Sequence, residues 1–156
     1  MRHLIAVAFL ILAGAAYGAD LTGPARVLDG DTLEIAGQRI RLHGIDAPEA
    51  RQTCEAADGT PYPCGAISTA WMVEAISGRA VTCQGRGHDR YGRIIAVCMV
   101  EGVNLNQASV LAGMAIAYVR YSGDFVAAET EAREARRGMW AGRFQAPEDW
   151  RHSRTR

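Results

Sequence analysis

Apolar and polar residues alternate along two segments that flank the dipeptide Ala36-Gly37. Leucine or isoleucine occupies alternate positions 33 and 35 on one side and 40 and 42 on the other, and the residues between them are polar. Alternation of this kind on both sides of a small-residue turn predicts a β-hairpin. Three further strands are predicted over residues 24–28, 80–84 and 93–100.

Three other segments carry apolar residues at the helical spacing of three or four positions. They span residues 65–78, 104–113 and 125–137, and each ends at or just before a glycine, which commonly follows a helix C-terminus. Five strands and three helices, with the hairpins concentrated in the first part of the chain, predict an α+β fold. A small five-stranded barrel with packed helices fits this order, and 156 residues are enough for one such domain.

The N-terminus has the pattern of a targeting signal. A short positive region around Arg2 precedes an apolar run over residues 4–16, which is too short to span a bilayer comfortably. Small residues at Ala16 and Gly18 predict cleavage after Gly18; an uncleaved membrane anchor is the alternative. We therefore expect a signal peptide over 1–18, a folded domain over 19–150 and a loose basic tail over 151–156. The mature protein is expected to be secreted or periplasmic, without stable membrane association.

Export predicts that the four cysteines form disulfides. Cys54 and Cys64 flank a turn-rich insert, and we expect them to pair. Cys83 and Cys98 lie at equal distances from the tip of a predicted hairpin, so they should face each other across two antiparallel strands. A zinc site is the alternative, but the spacing contains no Cys-x-x-Cys pair.

Acidic residues lie at both ends of the central hairpin. Asp31 precedes its first strand, whereas Asp46 and Glu49 follow its second strand. A hairpin brings its ends together, so Asp31 should lie near Asp46 and offer oxygen ligands to a hard cation such as calcium or magnesium. Arg41, inside the second strand, suggests that a phosphate joins the cation. The alternative is an ordinary Asp-Gly-Asp turn; an EF-hand loop is excluded, because its sixth position lacks the required glycine.

A second polar cluster, Asp89-Arg90-Tyr91-Gly92-Arg93, begins the last predicted strand. On its own it is typical of a polar hairpin tip. It also places an aromatic ring beside arginines, with Arg86 nearby, as sites for single-stranded nucleic acid do. The formal net charge is zero, so any affinity for nucleic acid must come from such a local cluster.

Three segments together resemble the staphylococcal nuclease family. They are Asp29-Gly-Asp-Thr32, Arg41-Leu-His-Gly-Ile-Asp-Ala-Pro-Glu49 and Asp89-Arg-Tyr-Gly-Arg93, in the family's order and rough spacing. The resemblance implies a five-stranded OB-fold β-barrel with three packed α-helices. It also implies a calcium-dependent phosphodiesterase that cuts DNA and RNA, favours single-stranded or unpaired substrate and leaves 3′-phosphate ends. A monomer is expected.

The resemblance also implies roles for individual residues. Asp31, Asp46 and the backbone carbonyl of Ala47 correspond to the ligands of one calcium ion, with magnesium the less favoured cation. Glu49 corresponds to the residue that activates or positions the attacking water. Arg41 and Arg93 correspond to the pair that grips the phosphate, and Tyr91 and Arg86 are expected to bind nucleic acid. Ala47 departs from the family prototype, which has threonine there. The alternative function is a non-catalytic nucleic-acid-binding or envelope module on the same fold.

Overall fold

A computed structural model describes residues 20–154 of the chain. The predicted signal peptide, residues 1–18, lies outside the described residues, so its cleavage stays a prediction. The strands of the structure, in chain order, are β1 Leu21–Asp29, β2 Thr32–Ile35, β3 Gln38–Leu42, β4 Ile45–Asp46, β5 Cys54–Glu55, β6 Pro61–Tyr62, β7 Ala80–His88, β8 Ile94–Val100, β9 Val103–Asn104 and β10 Ile116–Ala117. The helices are α1 Cys64–Ile76, α2 Leu105–Leu111, α3 Val126–Glu134 and α4 Pro147–Ser153, with a 3₁₀ turn over Gly138–Ala141.

Five strands close into a barrel. Their order is β3-β2-β1-β7-β8, and a parallel pairing of β3 with β8 closes the ring. The remaining neighbours are antiparallel, and β9 extends the sheet beyond β8. This mixed five-stranded barrel confirms the predicted α+β class and is consistent with the OB-fold that the resemblance implied.

The predicted central hairpin is confirmed as β2 and β3. Its turn places Ala36 at φ 50° and Gly37 at φ 77°, the pair of positive values that a two-residue hairpin turn with the correct twist requires. Leu33 pairs with Ile40 in this register, and both are buried in the barrel core. Thr32 pairs with Arg41, so Arg41 projects to the opposite face of the hairpin from these two apolar residues.

Three helices lie at the three predicted positions, and a fourth helix was not predicted. Helix α1 packs against β1, and α2 packs against α3 and β8. The fourth helix, α4, includes Arg151, so the prediction of a loose tail from residue 151 is wrong as far as Ser153. Its signals are Pro147 at the start, two acids in the first turn and Arg151 with His152 in the last turn. They were missed because a short polar segment has no apolar period.

Both predicted disulfides are present. Cys54 is bonded to Cys64 beside the small β5–β6 ribbon. Cys83 is bonded to Cys98, and the two residues are direct partners in the antiparallel pairing of β7 with β8. The equal-distance argument for this hairpin is therefore confirmed. Within residues 20–154, none of the helices has both the length and the apolar character needed to cross a bilayer.

Candidate active site

The two ends of the central hairpin meet at one place on the barrel. Asp31 occupies the turn between β1 and β2, and Asp46 lies in β4, which pairs with β10. Gly30 allows this turn to lie close to Ala47 and Ser68. A Cβ atom at position 30 would lie 2.7 Å from the Cβ of Ala47 and would also clash with the hydroxyl of Ser68. The approach of Asp31 to Ala47 therefore depends on a residue without a side chain.

Arg41 joins the two aspartates. Its Nη1 donates to Oδ1 of Asp31, and its Nη2 donates to Oδ1 of Asp46 at 2.8 Å. Both carboxylates are buried, with Asp31 2% exposed and Asp46 fully enclosed. The predicted proximity of Asp31 and Asp46 is thus present in the structure, and a single guanidinium bridges them.

The hydrogen bonds of Asp31 do not fully offset the cost of burying its carboxylate. Its Oδ2 accepts a hydrogen bond from the backbone N–H of Ala47 at 2.8 Å, and its Oδ1 binds Arg41. Burial nevertheless raises the pKa of Asp31 from 3.8 to about 7, because desolvation outweighs the opposing effect of the Arg41 charge. An ionised Asp31 would therefore be stabilised by additional positive charge.

Glu49 is held by contacts on both its backbone and its side chain. Its N–H donates to Oε1 of Gln52 at 3.2 Å, and Gln52 is completely buried. The Nε2 of Gln52 donates in turn to the carbonyl of Gln145 at 2.7 Å. The carboxylate of Glu49 is about one third exposed and accepts from Nη1 of Arg151 at 2.8 Å. Gln52 and Gln145 thus connect the loop of Glu49 to the segment that precedes α4.

Arg151 is a site residue that sequence reasoning missed. It donates from Nη1 to Oδ1 of Asp46 at 2.9 Å and from Nη2 to Oδ2 of the same carboxylate at 3.0 Å. Its hydrogen bonds to Asp46 and Glu49 raise its own pKa, although partial burial opposes this effect. The only available signal in the sequence was an arginine in the last turn of a short helix that begins with proline, and that signal does not identify a partner.

Arg93 immediately precedes β8 and is paired locally. Its Nε donates to Oδ2 of Asp89 at 2.7 Å, and its N–H donates to Oδ1 of the same residue. The parallel register places Arg41 beside Ile95, two residues after Arg93. Two residues advance about 7 Å along a strand, so the backbone of Arg93 lies near that of Arg41, just before β8 begins. In the described part of the chain, Arg93 pairs with Asp89 rather than with the three site acids.

The tip of the β7–β8 hairpin forms an exposed basic and aromatic surface. The ring of Tyr91, 69% exposed, has the guanidinium carbon of Arg90 4.8 Å from its centroid and that of Arg93 at 5.7 Å. A groove of about 610 Å³ runs beside it, with Arg39 and His88 among its lining residues. Arg90 was not among the predicted binding residues, although it lies within the segment that was singled out.

Arg86 and His43 lie together at Asp124. Arg86 Nη1 lies 3.4 Å from Oδ2 of Asp124, and Nε2 of His43 lies 3.6 Å from the same oxygen. Burial and the Arg86 charge lower the pKa of His43, against the pull of Asp124. Arg86 is exposed and remains a candidate nucleic-acid contact, but its ion pair is with Asp124.

Comparisons with known proteins identify the family. The model of the "staphylococcal nuclease homologue" family matches residues 39–142, about two thirds of the chain. The chain belongs to the staphylococcal nuclease family. The predicted family is therefore confirmed, and with it, at the level of the family, the nuclease class of hydrolases.

Relatives that align along most of their own length support this family assignment. An "uncharacterized endonuclease" of Escherichia coli is 38% identical over 161 aligned positions, which cover 97% of this chain and 99% of that protein. A "micrococcal nuclease" of Shigella flexneri is 31% identical and covers 98% and 92% of the two chains. A Rhizobium meliloti relative described as a "succinoglycan biosynthesis protein" is 33% identical, with coverage of 87% and 73%.

The donor set of this staphylococcal nuclease family member fits a hard divalent cation. Asp31 and Asp46 are buried oxygen donors, and the raised pKa of Asp31 marks a carboxylate that gains from added positive charge. Among residues 20–154, no group of three or more His, Cys, Asp or Glu side chains could hold a metal ion. The protein would therefore supply only part of the six to eight oxygen ligands that calcium takes, and water or substrate phosphate would complete the shell.

Proposed function

We propose that this protein is a secreted, calcium-dependent endonuclease that hydrolyses phosphodiester bonds in DNA and RNA and leaves 3′-phosphate ends. The observation that carries the proposal is the pair of buried carboxylates, Asp31 and Asp46, brought together by Arg41 in a member of the staphylococcal nuclease family. Buried carboxylates are costly in a structural role alone, and a raised pKa such as that of Asp31 is common at functional sites.

Asp31, Asp46 and the backbone carbonyl of Ala47 are the residues that would hold calcium. The ion would polarise the non-bridging phosphate oxygens and acidify a water molecule. The threonine-to-alanine difference at Ala47 removes a hydroxyl but keeps a backbone carbonyl. Lack of cysteine and histidine partners for Asp31 and Asp46 within the described residues favours calcium or magnesium over zinc, and the resemblance favours calcium.

The side chains of the site have complementary roles in hydrolysis. Glu49, which is partly exposed, can accept a proton from the attacking water. Arg41 and Arg93 come from neighbouring segments of the barrel and can donate hydrogen bonds to the phosphate oxygens as negative charge develops there. As the water oxygen bonds to phosphorus, the bond from phosphorus to the 5′-oxygen breaks. The 5′-oxygen takes up a proton from solvent and leaves as a hydroxyl, and the phosphate stays on the 3′ side.

The expected substrate is single-stranded or locally unpaired. Tyr91, whose exposed ring is flanked by Arg90 and Arg93, offers a stacking surface for a base. The adjacent groove with Arg39 and the exposed Arg86 extend this basic surface. Stacking tolerates every base and needs no contact with the sugar 2′-position, so we expect activity on both DNA and RNA. We also expect the protein to act as a monomer in the periplasm or the medium.

Cleavage by the mature protein tests this proposal. Protein that lacks residues 1–18 should cut a single-stranded oligonucleotide with calcium present and stop when a chelator is added. Glu49→Gln and Arg93→Ala should each slow single-turnover cleavage by roughly a hundredfold, the scale for loss of one preorganised group. Arg26→Ala is the matched control, because Arg26 forms an exposed pair with Glu34. Undiminished cleavage after exhaustive chelation would contradict the calcium requirement. Binding without cleavage would favour the non-catalytic module.

A further inference from the structure

Arg151 makes a more extensive set of contacts than a surface ion pair does. Its guanidinium binds both oxygens of Asp46, and Nη1 also binds Glu49. Asp46 is fully enclosed, and the side chain of Arg151 is only one third exposed. Charge-assisted hydrogen bonds to two oxygens of one carboxylate restrict the orientation of both partners. Arg151 therefore joins Asp46 and Glu49 through a single guanidinium.

The helix that carries Arg151 is docked at further points around the site. Arg120 Nη1 lies 2.6 Å from Oε1 of Glu148. Pro147 at the start of α4 is buried, and the carbonyl of Gln145 accepts from the buried amide of Gln52. The first contact attaches α4 to the segment that follows β10, and the last attaches the segment before α4 to the loop of Glu49. They also reduce the entropy that Arg151 would lose on binding the two acids.

We propose that Arg151 is a positioning residue of the active site, which holds the Glu49 carboxylate in its working orientation beside Asp46. This inference rests on the proposed nuclease function, in which Glu49 receives the proton of the attacking water. Arg151 is assigned no contact with the reacting atoms. Its effect passes through Glu49. Gln52 fixes the backbone of the Glu49 loop, and Arg151 orients the Glu49 carboxylate.

The charge of Arg151 gives this role a distinctive signature. Arg151 neutralises part of the negative charge of Asp46 and Glu49, and it occupies both oxygens of Asp46. A calcium ion at Asp31 and Asp46 would experience repulsion from this guanidinium, which would remain on Asp46 and Glu49. Removal of Arg151 should therefore strengthen calcium binding while it slows the chemical step. Loss of the local fold would weaken both.

The test is a set of substitutions at Arg151 in the mature protein. Arg151→Ala should lower kcat on a single-stranded oligonucleotide by at least about tenfold, with KM changed by less than about threefold, because the lost interaction acts on turnover. Calorimetry with calcium alone should show binding at least about threefold tighter. Arg151→Lys should recover part of kcat, because lysine keeps the charge but not the planar fork.

Arg154→Ala is the matched control. Arg154 lies at the end of the same helix, but its guanidinium stacks on Trp150 at 4.5 Å rather than on a site acid. This variant should keep the wild-type kcat and calcium affinity.

The possible results separate the two proposals. Wild-type protein that fails to cut with calcium would contradict the proposed function. If the wild-type protein cuts but Arg151→Ala leaves kcat or calcium affinity unchanged, the inference is contradicted and the proposed function is not. Parallel weakening of calcium binding and kcat in Arg151→Ala would also overturn it, because that result indicates structural damage to the site.

Discussion

Asp31 shows how a single buried carboxylate links stability to pH. In the folded protein, burial raises its pKa to about 7 from 3.8, so the folded state holds a proton that the unfolded chain releases near pH 4. Between these two values the folded state binds more protons than the unfolded state, and the free energy of unfolding must fall as pH rises. The Asp31 carboxylate therefore opposes folding at neutral pH when no cation compensates it.

Replacement of Asp31 should reveal this effect. In chelator, the free energy of unfolding of the wild-type protein should fall between about pH 4 and pH 7, by on the order of 1–4 kcal/mol from this group. Asp31→Asn cannot ionise and should lack that component. Urea denaturation at a series of pH values measures the free energy of unfolding of the wild-type protein and of Asp31→Asn. Glu101→Gln, at an exposed pair with Arg79, should keep the wild-type pH dependence. Identical profiles for wild type and Asp31→Asn would contradict the assignment.

Gly30 controls the approach of the Asp31 turn to Ala47. A Cβ atom at this position meets the backbone-attached Cβ of Ala47 at 2.7 Å and the buried side chain of Ser68, whose hydroxyl donates to the carbonyl of Met114. We expect Gly30→Ala to lower the free energy of unfolding by about 1–3 kcal/mol, the usual cost of overpacking. Calcium binding should weaken as well, since Asp31 and Ala47 move apart. Gly123→Ala, with open space around its Cβ position, should change neither quantity in denaturation and calorimetry.

The hairpin is the element that most directly organises the site. Its turn residues, Ala36 and Gly37, set the register, and the register sends Leu33 and Ile40 into the core while Arg41 faces the aspartates. A shift by one residue would exchange the two faces and remove Arg41 from Asp31. Alternation and turn chemistry were sufficient to predict this element, because both are properties of neighbouring residues.

The Cys83–Cys98 bond stabilises the second hairpin, formed by β7 and β8. The bond closes a segment of 15 residues, and both cysteines are fully buried. We expect the double variant Cys83→Ala/Cys98→Ala to lose about 3 kcal/mol of unfolding free energy, the scale for a loop of this length. Denaturation of oxidised wild-type and variant proteins measures the loss. Non-reducing peptide mapping supplies the control, and an unchanged midpoint in the variant would contradict this stabilising role.

At the scale of the whole molecule, the site combines residues from opposite ends of the chain. Arg151 reaches Asp46 across 105 positions, and Gln52 reaches Gln145 across 93. The sequence predicted the barrel class, both disulfides and the proximity of Asp31 to Asp46, because each follows from local pattern or hairpin geometry. It did not predict Arg151 or Gln52, because their partners are determined by how α4 docks, and no local pattern encodes that docking.

Coupling between the two ends of the chain can be measured with a double-mutant cycle. If Arg151 acts by orienting Glu49, its removal should matter only while Glu49 can accept a proton. Arg151→Ala should slow single-turnover cleavage at least about tenfold in the wild-type background but less than about threefold in Glu49→Gln, because residues that act as a unit are not additive. Arg154→Ala supplies a neutral cycle with the same Glu49 variant. Full additivity of Arg151→Ala and Glu49→Gln would show that Arg151 acts independently of Glu49, for example by holding the phosphate itself.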